Sequence, residues 1–198
     1  MQLFYSLTSP YARKCHIVLH LHQLLDQTEL VLTDQFSQEF RKLNPLGKIP
    51  TLRDNDITLM DSPLICEYLD NKAIQQGRPS LFARENLDYF HIQLQHALSN
   101  GILDAAVASV YEKRRETQPS EYWLSRWQES LQSTITQIST KYLSTCTQPN
   151  IASVATVTAL AYLDFRLAEL SWRDWNTALA DWYAPFTELT WFEKTSPE

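Results

Sequence analysis

Glycine is nearly missing from this chain. Three occur in 198 residues, against nine prolines. A chain so poor in glycine has few freely turning segments, and long helices suit it best. Cysteine is equally scarce. Cys15, Cys66 and Cys146 are scattered, odd in number, and form no Cys-x-x-Cys. That argues against a disulfide framework and fits a reducing compartment. Positive charge is in deficit as well: the net charge is −6. Nucleic-acid binders need a basic face, so no nucleic-acid partner is expected. No apolar run approaches the roughly 20 residues that span a bilayer. No basic stretch followed by an apolar one marks a secretory signal. The expectation is a cytoplasmic protein without membrane association. Hydrophobic residues at 44% and charged residues at 20% suit an ordinary globular chain.

The chain in order shows two regions of different character. Met1 to Ser6 reads as a buried strand. Thr8-Ser9-Pro10 is a helix start, because proline lacks a donor only where none is needed. The helix runs from Tyr11 to about Leu25, with Ile17, Val18, Leu21, Leu24 and Leu25 on one face. Glu29 to Leu32 is a second strand, and Phe36 to Leu43 a short amphipathic piece. Asn44-Pro45-Leu46-Gly47 is a turn. Thr51 to Arg53 and Ile57 to Met60 form a hairpin around Asp54-Asn55-Asp56. Ser62 is expected to cap a helix from Pro63 to about Gln75, burying Leu64, Ile65, Tyr68 and Leu69.

Beyond a linker at 78–83 no strand is expected. Arg84 to about Glu116 is one long helical pattern with Leu87, Phe90, Leu94, Leu98, Ala105 and Ala108 toward the core, and Gly101 as a candidate bend. Pro119-Ser120 restarts the chain. A helix to about Tyr142 follows, with Leu124, Trp127, Leu131, Ile135 and Ile138 in register. Ala152 to Leu170 is the central buried helix, Thr177 to Trp182 a last short one, and the tail from Tyr183 irregular. The fold class is an α/β N-terminal domain followed by an all-α helical C-terminal domain, with boundaries at 1–77 and 84–198.

A few residues carry chemistry. Ser9 stands where the first strand gives way to the first helix, a place where ligands of α/β folds gather. Its hydroxyl can donate to an anion beside the free N–H groups of the helix end, or serve as a plain N-cap. A cis Ile49-Pro50 bond would turn the Ile49 backbone outward to pair with a peptide-like ligand; a trans bond would open an ordinary edge strand. Asp61-Ser62 can receive an amino-acid-like group, ammonium on Asp61 and carboxylate on Ser62, or can be a helix cap only. Asn100, Asp104 and Tyr111 share a helical face that lines a cleft or meets solvent. His16 and His20 have the i, i+4 spacing that can hold zinc, but no Cys or further ligand set supports it, and no metal is expected. Cys15 and Cys66 sit among apolar neighbours as small core residues.

Taken together, three motifs resemble the cytosolic glutathione S-transferase family. They are Ser-Pro-Tyr-Ala-Arg-Lys at 9–14, Asn-Pro-Leu-Gly-Lys-Ile-Pro-Thr-Leu at 44–52, and Asp-Ser-Pro-Leu-Ile-Cys-Glu-Tyr-Leu at 61–69. The first is similar to a bacterial type with an N-terminal Ser-Pro-Tyr-x-Arg-Lys motif. Ala161 to Arg166 and a closing set of Leu179, Trp182, Tyr183, Phe186, Thr195 and Pro197 extend the resemblance over nearly the whole chain. The resemblance implies a thioredoxin-like N-terminal domain, a helical C-terminal domain and a homodimer. It implies glutathione as co-substrate and a small electrophile or peroxide as its partner.

By the same resemblance, Pro50 is the structural cis-proline and Ile49 pairs with the cysteinyl unit of glutathione. Asp61 and Ser62 hold the γ-glutamyl end, Lys48 and Gln35 are candidates for the glycine carboxylate, and Ser9 is catalytic beside the sulfur. Tyr11, Asn100, Asp104 and Tyr111 are candidates for the second-substrate pocket. Relatives with Cys in place of Ser9 favour thiol–disulfide exchange, so Ser9 points to conjugation or peroxide reduction. Two departures stand out. Ser153 and Thr156 occupy what reads as the capping pair of the central helix, where relatives carry an acidic second member. Glu188-Leu189-Thr190 replaces Arg-Pro-Ser in the tail. A non-catalytic binding or regulatory protein of the stringent starvation protein A type, which acts on RNA polymerase, is the alternative.

Overall fold

Short apolar segments between turn residues form the sheet. A computed structural model describes residues 1–197. Strands β1 (Gln2–Tyr5), β2 (Glu29–Leu32), β3 (Thr51–Asp54) and β4 (Ile57–Leu59) lie in the order β2-β1-β3-β4. β1 and β2 are parallel, and the other neighbours antiparallel. Parallel strands need a crossover, which α1 (Pro10–Leu21) supplies. The helices α2 (Gln38–Leu43) and α3 (Ser62–Gln75) complete this α/β, thioredoxin-like part. Leu3 and Leu52 of the sheet, Ile17, Val18 and Leu19 of α1, and Ile65, Cys66 and Leu69 of α3 are fully buried and form its core.

The chain clusters into two units. The first comprises residues 1–82 together with the chain from Leu189, and the second Ala83–Glu188. The linker is fastened to the first unit rather than loose. Asp70, fully buried, accepts from Ser80 Oγ at 2.8 Å and from the Leu81 N–H at 2.7 Å. The tail is not irregular. A 3₁₀ turn at Ala184–Glu188 leads into α9 (Thr190–Lys194), where Arg13 of α1 takes hold of it. Its guanidinium donates to Thr195 Oγ1, the Phe192 carbonyl and Ser196 Oγ at 3.0–3.3 Å, and lies 4.5 Å over the Phe192 ring.

Several helix limits differ from those the sequence suggests. α1 stops at Leu21 instead of about Leu25, because Gln23 turns to φ +49 and re-aims Leu24 into the core. α3 begins at Ser62 itself, with Asp61 in the N-cap position making no side-chain cap bond. Its buried stripe is Ser62, Ile65, Cys66, Leu69, Asp70 and Ala73. Leu64 is 45% exposed, and Tyr68 reaches out to donate to Asp54 at 2.8 Å.

The second unit is helical throughout its regular elements: α4 (Tyr89–Lys113), α5 (Glu121–Gln137), α6 (Ile151–Arg166), α7 (Trp172–Trp175) and α8 (Thr177–Tyr183). α4 runs unbroken through Gly101. Its buried face is Ile92, Gln95, His96, Ser99, Ile102, Leu103, Ala105, Ala106, Ser109 and Val110. Leu87, Phe90 and Leu94, expected in the core, are 103%, 81% and 52% exposed. α6 is the central buried helix, and its cap is Asn150, which accepts from the Ser153 N–H at 2.8 Å. Ser153 therefore sits inside the first turn, where its hydroxyl accepts from the Ser144 N–H. Thr156 is a buried packing residue bonded to Ser99, so no cap is lost. No helix among the described residues is long and apolar enough to cross a membrane.

Candidate functional site

Strand register gathers the candidate groups of the first unit at one end of the sheet. Phe4 pairs with Thr51, Leu52 with Leu59, and Tyr5 with Leu32. One step past these pairs, the chain leaves the sheet four times along the same end. It leaves after β1 toward Ser9, after β2 toward Gln35, before β3 at Ile49-Pro50, and after β4 at Asp61-Ser62. Sequence positions far apart thus become neighbours at the strand ends.

Each departure is locally determined. Ser9 has extended backbone angles and caps α1, its Oγ accepting from the Ala12 N–H at 3.2 Å. That bond uses an oxygen lone pair and leaves the hydroxyl proton for a second partner. Ile49-Pro50 is cis. Asn44, fully buried, sets the loop before it. Its Oδ1 accepts from the Leu46 N–H at 2.9 Å, and its Nδ2 donates to the Lys48 carbonyl at 2.7 Å and Thr51 Oγ1 at 2.9 Å. Gly47 supplies the φ of +59° the turn requires. Asn44 was legible only as a turn residue; its role as the clasp of this loop depends on partners four and seven residues on.

Three of the groups at this end have no partner among the described residues. Among the described residues, none bonds the Ile49 backbone N–H or carbonyl. Ser62 is 2% exposed, and its hydroxyl has no hydrogen bond among the described residues. The Asp61 carboxylate is exposed and in no ion pair among them. All three remain open to a partner, and a ligand with an amino-acid end and an extended backbone satisfies them. The first turn of α3 adds free N–H groups that favour a carboxylate.

The remaining candidates lie as follows. Lys48 is exposed, with its carbonyl held by Asn44 and Thr51. Gln35 is half-buried just beyond β2, and Tyr11 half-buried in the first turn of α1. Asn100, Asp104 and Tyr111 share a face of α4 in the second unit, and Tyr111 is 56% exposed. The His16 and His20 rings lie 5.1 Å apart and tilted by 36°, whereas His22 turns to Asp70. No group of three or more His, Cys, Asp or Glu among the described residues could hold a metal.

The cysteines offer no accessible nucleophile near α1. Cys15 and Cys66 are fully buried, with sulfurs 3.8 Å apart, and Cys15 lies 3.8 Å from the Ser62 carbonyl. Burial pushes the Cys15 thiol well above its ordinary value, and the hydrogen bond with Cys66 adds to the rise. A thiol so held is a packing group, not an attacking one.

Comparison with known proteins gives the family. Residues 8–72 match the family described as Glutathione S-transferase, N-terminal domain. The "Uncharacterized GST-like protein YibF" of Escherichia coli K12 is 31% identical over 186 residues, covering 87% of this chain and 86% of that protein. A stringent starvation protein A homolog of Histophilus somni is 39% identical over 72 residues, but only 34% of its length is covered. A glutathione transferase family member from Pseudomonas fluorescens Pf-5, solved with bound glutathione, superposes with a TM-score of 0.87 at 31% identity, over 100% of this chain and 98% of that one. It is also solved with S-(propanoic acid)-glutathione, at a TM-score of 0.86 and 32% identity over the full length of both chains. The chain belongs to the glutathione S-transferase family.

Proposed function

We propose that the protein is a glutathione transferase that activates the thiol of glutathione with Ser9 for attack on a small electrophile or peroxide. The observation that carries this reading is the set of unpartnered groups at one sheet end: the Ile49 backbone, the Ser62 hydroxyl and the Asp61 carboxylate. They match the extended cysteinyl peptide, the α-carboxylate and the ammonium of glutathione. Lys48 and Gln35 are assigned to the glycine carboxylate. The Pseudomonas relative, with glutathione in one structure and a sulfur-substituted glutathione in another, supports the same two kinds of ligand here. The motif at 9–14 resembles that of a bacterial type of the family, which supports Ser9 beside the sulfur.

The chemistry follows from Ser9. A free thiol has a pKa of about 8.5, and only its thiolate is strongly nucleophilic. The Ser9 hydroxyl, donating from the positive end of α1, stabilises the thiolate and raises its population at neutral pH. In this reading the 1–77 domain binds glutathione, and Asn100, Asp104 and Tyr111 of the 84–198 domain are assigned to the second substrate, as is Tyr11 of α1. The enzyme is cytoplasmic and works as a homodimer, for which the exposed apolar stripe Leu87, Phe90 and Leu94 is the contact face. Phe90→Glu then yields a monomer by light scattering. The regulatory alternative rests on a similarity confined to about a third of the stringent starvation protein A homolog.

The test is glutathione binding by calorimetry, together with thermal melting and a thiol-conjugation assay. A ligand at 100 times its Kd adds about 2.7 kcal/mol of stability, so the melting temperature rises by several degrees. No binding at millimolar glutathione would sink the proposal. Binding without turnover of any electrophile or peroxide favours the regulatory alternative.

A further inference from the structure

Cys15 and Cys66 belong to different helices of the first unit, α1 and α3, and packing brings them together. Their sulfurs are 3.8 Å apart, and neither residue has exposed surface. Contact between two small core residues is an ordinary result of packing. Two further features set this pair apart. The Cys15 sulfur also lies 3.8 Å from the Ser62 carbonyl, and Cys66 follows Ser62 by one turn of α3. The pair therefore sits directly behind the first turn of α3, where the Ser62 hydroxyl is open to a partner. Lys14, next to Cys15 in the chain, is itself fully buried, and its cation favours the thiolate of either sulfur.

The two thiols are not equivalent. Burial pushes both up. For Cys15 the hydrogen bond with Cys66 and the Cys66 charge push further in the same direction. For Cys66 the burial is outweighed by the hydrogen bond from Cys15 and by the Lys14 cation, against smaller effects of Asp70 and Asp61, and the net direction is down. Cys66 thus gives up a proton first, while Cys15 keeps its own and donates. The gap between the sulfurs is short enough to close. A disulfide is about 2.05 Å long, so each sulfur moves by less than about 1 Å, a displacement that rotation about χ1 supplies.

We propose that Cys15 and Cys66 are a reversible oxidation site, at which hydrogen peroxide closes a disulfide between α1 and α3. The inference goes beyond the transferase reading and does not depend on it. In the first step the Cys66 thiolate attacks one peroxide oxygen and the O–O bond breaks. The departing hydroxide takes up the proton that Cys66 released, and Cys66 becomes a sulfenic acid. The negative charge that held the Cys15 proton is then gone. In the second step the Cys15 sulfur attacks the Cys66 sulfur, the S–O bond breaks, and the leaving hydroxide takes the Cys15 proton. Two thiols and one peroxide give one disulfide and two waters. Peroxide is little larger than water and reaches core thiols through local opening of the fold. The product joins the helix that carries Ser9 to the helix that carries Ser62, and a dithiol reductant reopens it by exchange.

The test uses the full chain carrying Cys146→Ser, which removes the half-buried thiol outside the pair. The folded protein is treated with excess hydrogen peroxide and quenched with catalase. It is then unfolded in iodoacetamide and mapped by mass spectrometry without reductant. The expected product is a peptide cross-linked through Cys15 and Cys66, lighter than the free pair by two hydrogens, with neither cysteine alkylated. Dithiothreitol restores both thiols to alkylation. Circular dichroism shows the oxidised protein still folded, and it melts about 5 °C or more above the reduced form, because the bond closes a long loop. Full alkylation of both cysteines after peroxide overturns the proposal. So does their conversion to sulfinic acid without a cross-linked peptide, or a cross-link that forms only when urea is present during oxidation.

Discussion

His22 Nε2 lies 3.1 Å from Asp70 Oδ1, with both side chains buried. The pair joins the end of α1 to the middle of α3, and Asp70 also holds Ser80 and Leu81. One carboxylate therefore fixes two helices and the start of the linker. Removing one member of a buried pair leaves the other desolvated and alone. Asp70→Ala is expected to cost about 3–5 kcal/mol, measured by urea unfolding. Asp70→Asn, which keeps an acceptor for Leu81, is expected to cost clearly less. Equal costs would show that the acceptor Asn retains contributes nothing and that the carboxylate charge carries the effect.

Ser9 has two separable roles, a helix cap and a hydroxyl donor. Ser9→Ala removes both and is expected to lose about 0.5–2 kcal/mol of stability. It also lowers kcat/KM for conjugation by a factor on the order of 10²–10³. Ser9→Asn retains a capping oxygen but not the hydroxyl. It should melt near the wild type and still be nearly inactive. Wild-type turnover in Ser9→Asn would remove Ser9 from the chemistry.

Arg13→Met deletes three hydrogen-bond contacts to the tail while keeping much of the side chain's bulk. The expected loss is about 2–4 kcal/mol, with new proteolytic cleavage between Leu189 and Ser196. A variant as resistant to protease as the wild type would show that α9 is held by other contacts.

His16 is pushed down to about 4, first by burial and then by His20 and Arg13. Its ordinary value is 6.5. Between those values the unfolded chain binds a proton that the folded one refuses. The contribution to stability is whole above pH 6.5 and drains away as pH falls toward 4. Melting temperature should thus drop more steeply across that window in the wild type than in His16→Gln. Parallel curves for the two proteins would refute the assignment.

The sheet and the order of elements are legible in the sequence because turn residues bracket each strand; β2 falls on its expected residues, Glu29–Leu32. The face of α4 is not. Its buried side includes Gln95, Ser99 and Ser109, each satisfied by a local or long-range bond. Those polar residues hide the core stripe, while Phe90 and Leu94 of α4, with Leu87 just before it, are more apolar and exposed. The cap of α6 was misplaced for a related reason. Ser153 looks like a cap, but Asn150 accepts the first free N–H, and only the geometry distinguishes them. At the candidate site, the motifs point to Ser9, Ile49-Pro50 and Asp61-Ser62.

The grip of Arg13 on the returning tail bears on how the protein is made. The α/β unit leaves the ribosome in two instalments, with residues 83–188 between them. During that interval the guanidinium of Arg13 has neither its carbonyl nor its hydroxyl acceptors, and a charged group so placed stays hydrated. The first helix can settle fully only after α9 arrives. A nascent chain halted before Leu189 carries Ser9, Ile49, Asp61 and Ser62 but lacks the segment that seats the helix on which Ser9 stands.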